Sequence, residues 1–219
     1  MDPEFWHARW EAGEIGFHQD AINPHLEQHW PRLNLPAGMR VFVPLCGKTR
    51  DMLWLAGEGH RVVGVELSEL AVRAFFADNG LQPQVSDHGV FKRFAVDEIE
   101  ILCGDFFALD AARLGPVEAV FDRASLVALP ESMRARYAAQ MRRLLEPETT
   151  VLLVTFDYPQ AEMDGPPFAV TEDEVRALYD GGFDVQRLAG VDLLASHDRF
   201  RERGLTRLEE LVFVLRRQG

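Results

Sequence analysis

Cysteine is scarce in this 219-residue chain: the two present, Cys46 and Cys103, stand far apart and outside any C-x-x-C pattern. That argues against a disulfide framework and against a zinc knuckle. Basic residues are also in deficit, 23 Lys and Arg against 35 Asp and Glu. A net charge of −12 repels a phosphate backbone, so no nucleic-acid partner is expected. No run of 18 or more apolar residues exists, so no membrane-spanning helix is expected. The opening MDPEFWHARW lacks a basic segment followed by an apolar one, so it does not read as a signal peptide. Linkers rich in Pro, Gly or Ser, charge blocks and repeats are missing too. With 47% hydrophobic residues, the expectation is one domain over 1–219 with a sizeable core, soluble and cytoplasmic.

What is present is organised around Val41 to Glu66, VFVPLCGKTRDMLWLAGEGHRVVGVE. A β-branched run, a turn holding Gly47, a helical segment from Thr49 to Ala56 and a second apolar run ending in Glu66 make half of a nucleotide-binding βαβ unit. Gly47 and Glu66 are 66 − 47 = 19 residues apart, the spacing of an acid that accepts from ribose hydroxyls. The G-x-G-x-x-G cradle that a pyrophosphate requires is absent. A phosphate-free adenosine cofactor, S-adenosylmethionine, fits that loss, and a nicotinamide-dependent oxidoreductase fits it poorly. On this window alone, Gly47 as a plain turn and Glu66 as a solvated strand end stay equally open.

Elsewhere the order of elements is regular. A short helix over 3–12 carries Trp6 and Trp10, either a stripe packed on the domain or a lid over a ligand; a Gly-flanked loop with Phe17 and His18 follows. Pro24 to Trp30 reads as a helix with His25 and His29 on a solvated face. Ser68 caps a helix over Glu69 to Asp78. Leu81 to Asp87 reads as an extended connector, and Val90–Val96 with Ile99–Cys103 as a hairpin. Asp105 is a strand-end acid, open as an adenosine contact or as an N-cap. Ala119–Phe121 is a strand, after which Arg123 falls where open α/β sheets bind ligands; a structural salt bridge to Asp122 is the alternative. A helix opens at Pro130, and Val151–Phe156 reads as a central parallel strand. Gly165-Pro166-Pro167-Phe168 is a stiff loop suited to walling a pocket. Phe183–Leu194 and Leu208–Arg216 form a closing antiparallel pair around an arginine-rich loop with Arg199, Arg201 and Arg203.

From end to end the chain resembles the thiopurine S-methyltransferases. The resemblance rests on Trp6…Arg9-Trp10-Glu11, Gly16-Phe17-His18-Gln19, Val43-Pro44-Leu45-Cys46-Gly47-Lys48, Gly64-Val65-Glu66-Leu67-Ser68, Cys103-Gly104-Asp105-Phe106, Asp122-Arg123-Ala124 and Gly165-Pro166-Pro167-Phe168. It implies an α/β fold, the class I S-adenosylmethionine-dependent methyltransferase: a Rossmann-like seven-stranded sheet with helices on both faces. Residues 1–35 would be a helical cover and 36–219 the α/β core. Trp10, Leu45, Glu66 and Arg123 are then implied cofactor contacts, with Gly47, Asp105 and Phe106 beside them at the strand ends. Phe17, Pro166, Pro167 and Arg199 match positions that shape the acceptor pocket. Alignment on Gly204 selects Arg199; a different anchor selects Arg201.

The implied chemistry is direct in-line displacement, a thiol or thiolate taking the sulfonium methyl and S-adenosylhomocysteine leaving. Positioning matters more than strong acid–base work. No residue is assigned as certainly catalytic; Arg123 and Arg199 are candidates for orienting a thiolate. A metal is not called for, a monomer is expected, and small selenium or tellurium species suit the same soft-nucleophile logic. A non-enzymatic binder of the cofactor or of a metalloid is the second alternative. Arg199→Ala is expected to raise the acceptor KM and leave cofactor affinity nearly intact; the reverse pattern in steady-state kinetics and calorimetry would place that loop elsewhere.

Overall fold

Alternation along the strands decides where the core lies. In the computed structural model, which describes residues 3–196 and 198–219 except for the side chains of Ser196 and Arg199, strand residues point by turns to two separate hydrophobic layers. The first half comprises α1 (Pro3–Glu11), α2 (Pro24–His29), β1 (Arg40–Val43), α3 (Asp51–Gly57), β2 (Arg61–Glu66), α4 (Glu69–Asp78), β3 (Gln84–His88), β4 (Phe91–Val96) and β5 (Ile99–Cys103). After these come α5 (Ala111–Leu114), β6 (Ala119–Arg123), α6 (Glu131–Leu144), β7 (Thr150–Asp157), α7 (Glu172–Tyr179), β8 (Phe183–Asp192), α8 (Asp198–Glu202) and β9 (Glu209–Arg217).

The strands form one sheet in the order β3-β4-β5-β2-β1-β6-β7-β9-β8. From β5 to β7 the pairings are parallel; β9 enters antiparallel between β7 and β8. Val41, Val43, Ile101, Phe121, Leu152 and Val214 face the layer built by α2, α3 and α4. Phe42, Val63, Val65, Leu102, Val120 and Phe213 face the layer of α5, α6 and α7. Such two-sided burial is why the central strands read as near-continuous apolar runs. Gly64 of β2 is bare because Cys46 and Met52 pack onto it: a Cβ there would lie 2.7 Å from the Cys46 Sγ.

Three expectations need correcting. The sheet has nine strands among the described residues, not seven: the hairpin adds β4, and the presumed connector after α4 forms β3. Most of β3 is exposed on both faces, so no hydrophobic alternation marks it, and its order comes from backbone pairing with β4. His25 and His29 are buried, at 4% and 5% exposure, rather than solvated. Their helix lies on the sheet, and the His25 Nε2 meets the Glu210 Oε2 of β9 at 2.8 Å, a partner 185 residues away. Helix α3 also starts later than its apolar spacing suggests, at Asp51.

Removing one member of a buried hydrogen-bonded pair leaves the other's polar atom without a partner. Glu210→Ala is therefore expected to lower unfolding free energy by about 2 kcal/mol in urea titration. A loss below about 0.5 kcal/mol would show that the pair does not hold α2 on the sheet.

Candidate active site

The strand order reverses between β1 and β6, and ligands in open α/β sheets lie at that crevice, beyond the carboxyl ends of the strands. A cavity of about 540 Å³ opens there. Turns after both strands use backbone conformations that L-residues rarely adopt: Leu45 has φ 45° and Ala124 φ 65°. The Ser125 hydroxyl donates to the Pro44 carbonyl at 2.9 Å, which fastens one turn to the other. Gly47, at φ 52°, lies under the Trp10 ring, where a Cβ would come within 3.2 Å of the indole.

Glu66 ends β2 inside this cavity, 7% exposed, and so is not a solvated strand end. One carboxylate oxygen accepts from the Gly47 N–H at 2.9 Å, the other from the Ser68 N–H at 2.8 Å. A carboxylate offers about four lone pairs, so capacity remains for a ligand donor beside these backbone N–H groups. Burial pushes its pKa up, while hydrogen bonds from Ser68, Gly47 and Leu67 pull it back. On the other side of the switch point, Arg123 donates to the Phe17 carbonyl at 3.1 Å and so ties the N-terminal cover to β6. Its neighbour Asp122 faces the opposite layer, accepts from the Tyr137 hydroxyl at 2.8 Å, and is raised by burial to about 6.

Trp10, Phe17, Leu45, Gly47, Glu66, Asp105, Phe106, Arg123, Pro166 and Pro167 all line the one cavity. Asp105 has also taken the capping role, its side chain accepting from the Phe107 N–H at 2.9 Å. Phe106 is only 2% exposed and stacks on Tyr137, so most of its ring belongs to the core. Trp10 meets Phe17 edge to face at 5.5 Å. The proline wall is pinned from behind, the Tyr158 hydroxyl donating to the Pro167 carbonyl at 2.7 Å. The Arg199 side chain lies outside the described residues. Arg201 is spent on its own loop, donating to the Leu194 and Ala195 carbonyls at 2.7 Å and pairing with Asp198. Phe200 and Arg203 are the residues of that segment that line the cavity among those described.

Several lining residues had no signal in the sequence. Asp51 is buried at the start of α3, accepting from the Asn23 N–H at 2.8 Å and from the Thr49 hydroxyl at 2.7 Å; its pKa is raised by burial. Arg136 lies over the Phe107 ring at 4.0 Å, and both line the cavity. Lys48, also lining, reaches Asp78 at 2.8 Å. Among the described residues no group of three or more His, Cys, Asp or Glu is placed to hold a metal ion. No helix among them is long and apolar enough to cross a membrane.

The backbone is similar to that of a solved Burkholderia thailandensis 1,6-didemethyltoxoflavin-N1-methyltransferase, with a TM-score of 0.66 and 18% identity over 99% of this chain and 87% of that one. The fold is that of the class I S-adenosylmethionine-dependent methyltransferases. A buried acid with spare lone pairs at the end of β2, beside a turn without a phosphate cradle, fits that cofactor. The sequence model of the thiopurine S-methyltransferase family matches residues 1–218. Thiopurine S-methyltransferases of Pseudomonas fluorescens and Nitrosospira multiformis are 51% and 52% identical, over 99% and 98% of both chains. The chain belongs to the thiopurine S-methyltransferase family.

Glu66→Ala is expected to weaken S-adenosylmethionine binding more than tenfold, about 1.4 kcal/mol or above, by calorimetry. With Glu66 as the expected ribose acceptor, the hydroxyl would donate to the ionised carboxylate, so wild-type affinity is expected to fall as pH drops through the Glu66 pKa. Because that pKa is raised from 4.5, the fall begins at higher pH than for an ordinary glutamate. Affinity that is flat down to pH values where the fold itself fails would remove Glu66 from the site.

Proposed function

We propose that this methyltransferase moves the methyl of S-adenosylmethionine to the sulfur of thiopurines and other aromatic thiols by direct in-line displacement, giving S-adenosylhomocysteine. The observation that carries the cofactor half is Glu66, a buried carboxylate with both oxygens anchored and capacity to spare, at the switch point. In this reading Glu66 takes the ribose, Leu45 and Gly47 line the turn beneath the cofactor, and Trp10 covers it. Asp105 and Phe106 flank the adenosine, and Arg123 sits near the methionine end. Phe17, Pro166, Pro167 and Arg199 shape the acceptor side, where flat apolar walls suit an aromatic ring.

Sulfur chemistry follows from the site's character. A sulfonium is already a good leaving group, so the chain's contribution is to hold donor and acceptor in line. Cations near the acceptor, Arg123 foremost, favour a thiolate over a thiol. Small selenium and tellurium nucleophiles are softer still and fall within the proposed range. A monomer that acts in the cytoplasm on small molecules, without nucleic acid or membrane, is consistent with the acidic composition.

Titration with S-adenosylhomocysteine, with NADH as control, is expected to give micromolar binding of the first and none of the second. A screen of thiol, selenol and tellurite acceptors then reads the second half. Silence from both nucleotides would overturn the cofactor assignment; binding without turnover of any acceptor would leave a binding protein.

A further inference from the structure

His18 is the histidine that lines the cavity among the described residues, and the roles assigned above leave it unused. It follows Phe17, whose carbonyl holds Arg123, so the backbone at this point is fixed to β6. Its side chain is 13% exposed, and Nε2 lies 3.3 Å from the Asp20 carboxylate. A carboxylate on Nε2 favours the proton there, leaving Nδ1 as the lone-pair nitrogen, and no described residue partners Nδ1. The charged groups around the ring are Asp20, Lys48, Arg123 and Asp51. Burial first, then Lys48 and Arg123, lower its pKa against the opposing pull of Asp20. Imidazole in the neutral form, oriented by an acid and set in the acceptor's cavity, has the attributes of a general base.

A base has work to do here. Aromatic thiols of low pKa arrive as thiolates, but an alkyl thiol, with a pKa near 8.5 for cysteine, is mostly protonated at neutral pH. We propose that His18 accepts the proton of such neutral thiols, which extends the substrate class from ionised aromatic thiols to alkyl thiols. The assignment rests on the methyltransferase reading. In the step, the acceptor sulfur forms a bond to the methyl carbon as its S–H proton passes to the lone-pair nitrogen of His18. The C–S⁺ bond of the cofactor breaks with its electron pair returning to sulfur, giving neutral S-adenosylhomocysteine. Asp20, fully exposed, balances the imidazolium until the proton leaves to solvent.

The test is H18Q against wild type over a series of thiols of graded pKa, with turnover measured across pH. The H18Q loss in kcat/KM should grow from about threefold for the most acidic thiol to about a hundredfold for an alkyl thiol. For the alkyl thiol, the wild-type profile should rise through the pKa of His18 and level off below that of the thiol itself. An NMR titration of the His18 ring in the S-adenosylhomocysteine-bound protein should give that same value, below 6.5. An equal loss for every thiol, or a profile that climbs to the thiol's own pKa, would overturn the role while leaving methyl transfer intact. Wild-type protein that binds S-adenosylhomocysteine but turns over no thiol would overturn both.

Discussion

A single buried carboxylate sets the geometry of the cofactor side. By accepting from Gly47 and Ser68 together, Glu66 spans the turn after β1 and the N-cap of α4, two segments that meet only at the end of β2. A charge with little solvent is tolerable because both oxygens are met by fixed N–H donors. The requirement is reciprocal. The Gly47 turn keeps its left-handed conformation under Trp10 while its N–H points at Glu66, so lid, turn and acid are set by one another.

The site also depends on where rigidity lies. β1 and β6 are covered on both faces, and the two strained turns that leave them are joined by the Ser125 hydroxyl. Backbone held in such conformations persists only where its surroundings over-determine it. The rest of the cavity wall is made differently, from long connections: the Phe17 loop, the proline loop pinned by Tyr158, and the segment around Phe200. A small separate cluster of Tyr158, Ala169, Phe200, Leu205 and Leu208 supports the last two. A stiff floor with walls of loop leaves the walls the freer of the two to change.

Much of this was legible from residue order. The apolar runs of β1, β2 and β7 and the Ser68 cap follow local rules, and those rules placed them well. The residues picked at strand ends came together around one cavity because strand ends are where an open sheet must converge. What stayed hidden depended on partners distant in sequence. Exposed β3 has no pattern of its own and needs β4. His25 and His29 read as surface because helical spacing cannot reveal Glu210. Asp51 was not singled out, since its hydrogen bond from Asn23 crosses from another element. In the arginine loop, identity was ambiguous by register, and Arg201 turned inward to its own carbonyls rather than to the cavity.

The His25–Glu210 contact has a consequence for the order in which the molecule is completed. Helix α2 leaves the ribosome early, yet its buried partner belongs to β9, the strand that is last in sequence and sits between β7 and β8. Until β9 inserts, His25 has no buried carboxylate to meet, although Phe17 and Asn23 already find Arg123 on β6 and Asp51 on α3. During vectorial synthesis the strand ends around Glu66 are therefore in place before the cover gains its last polar contact.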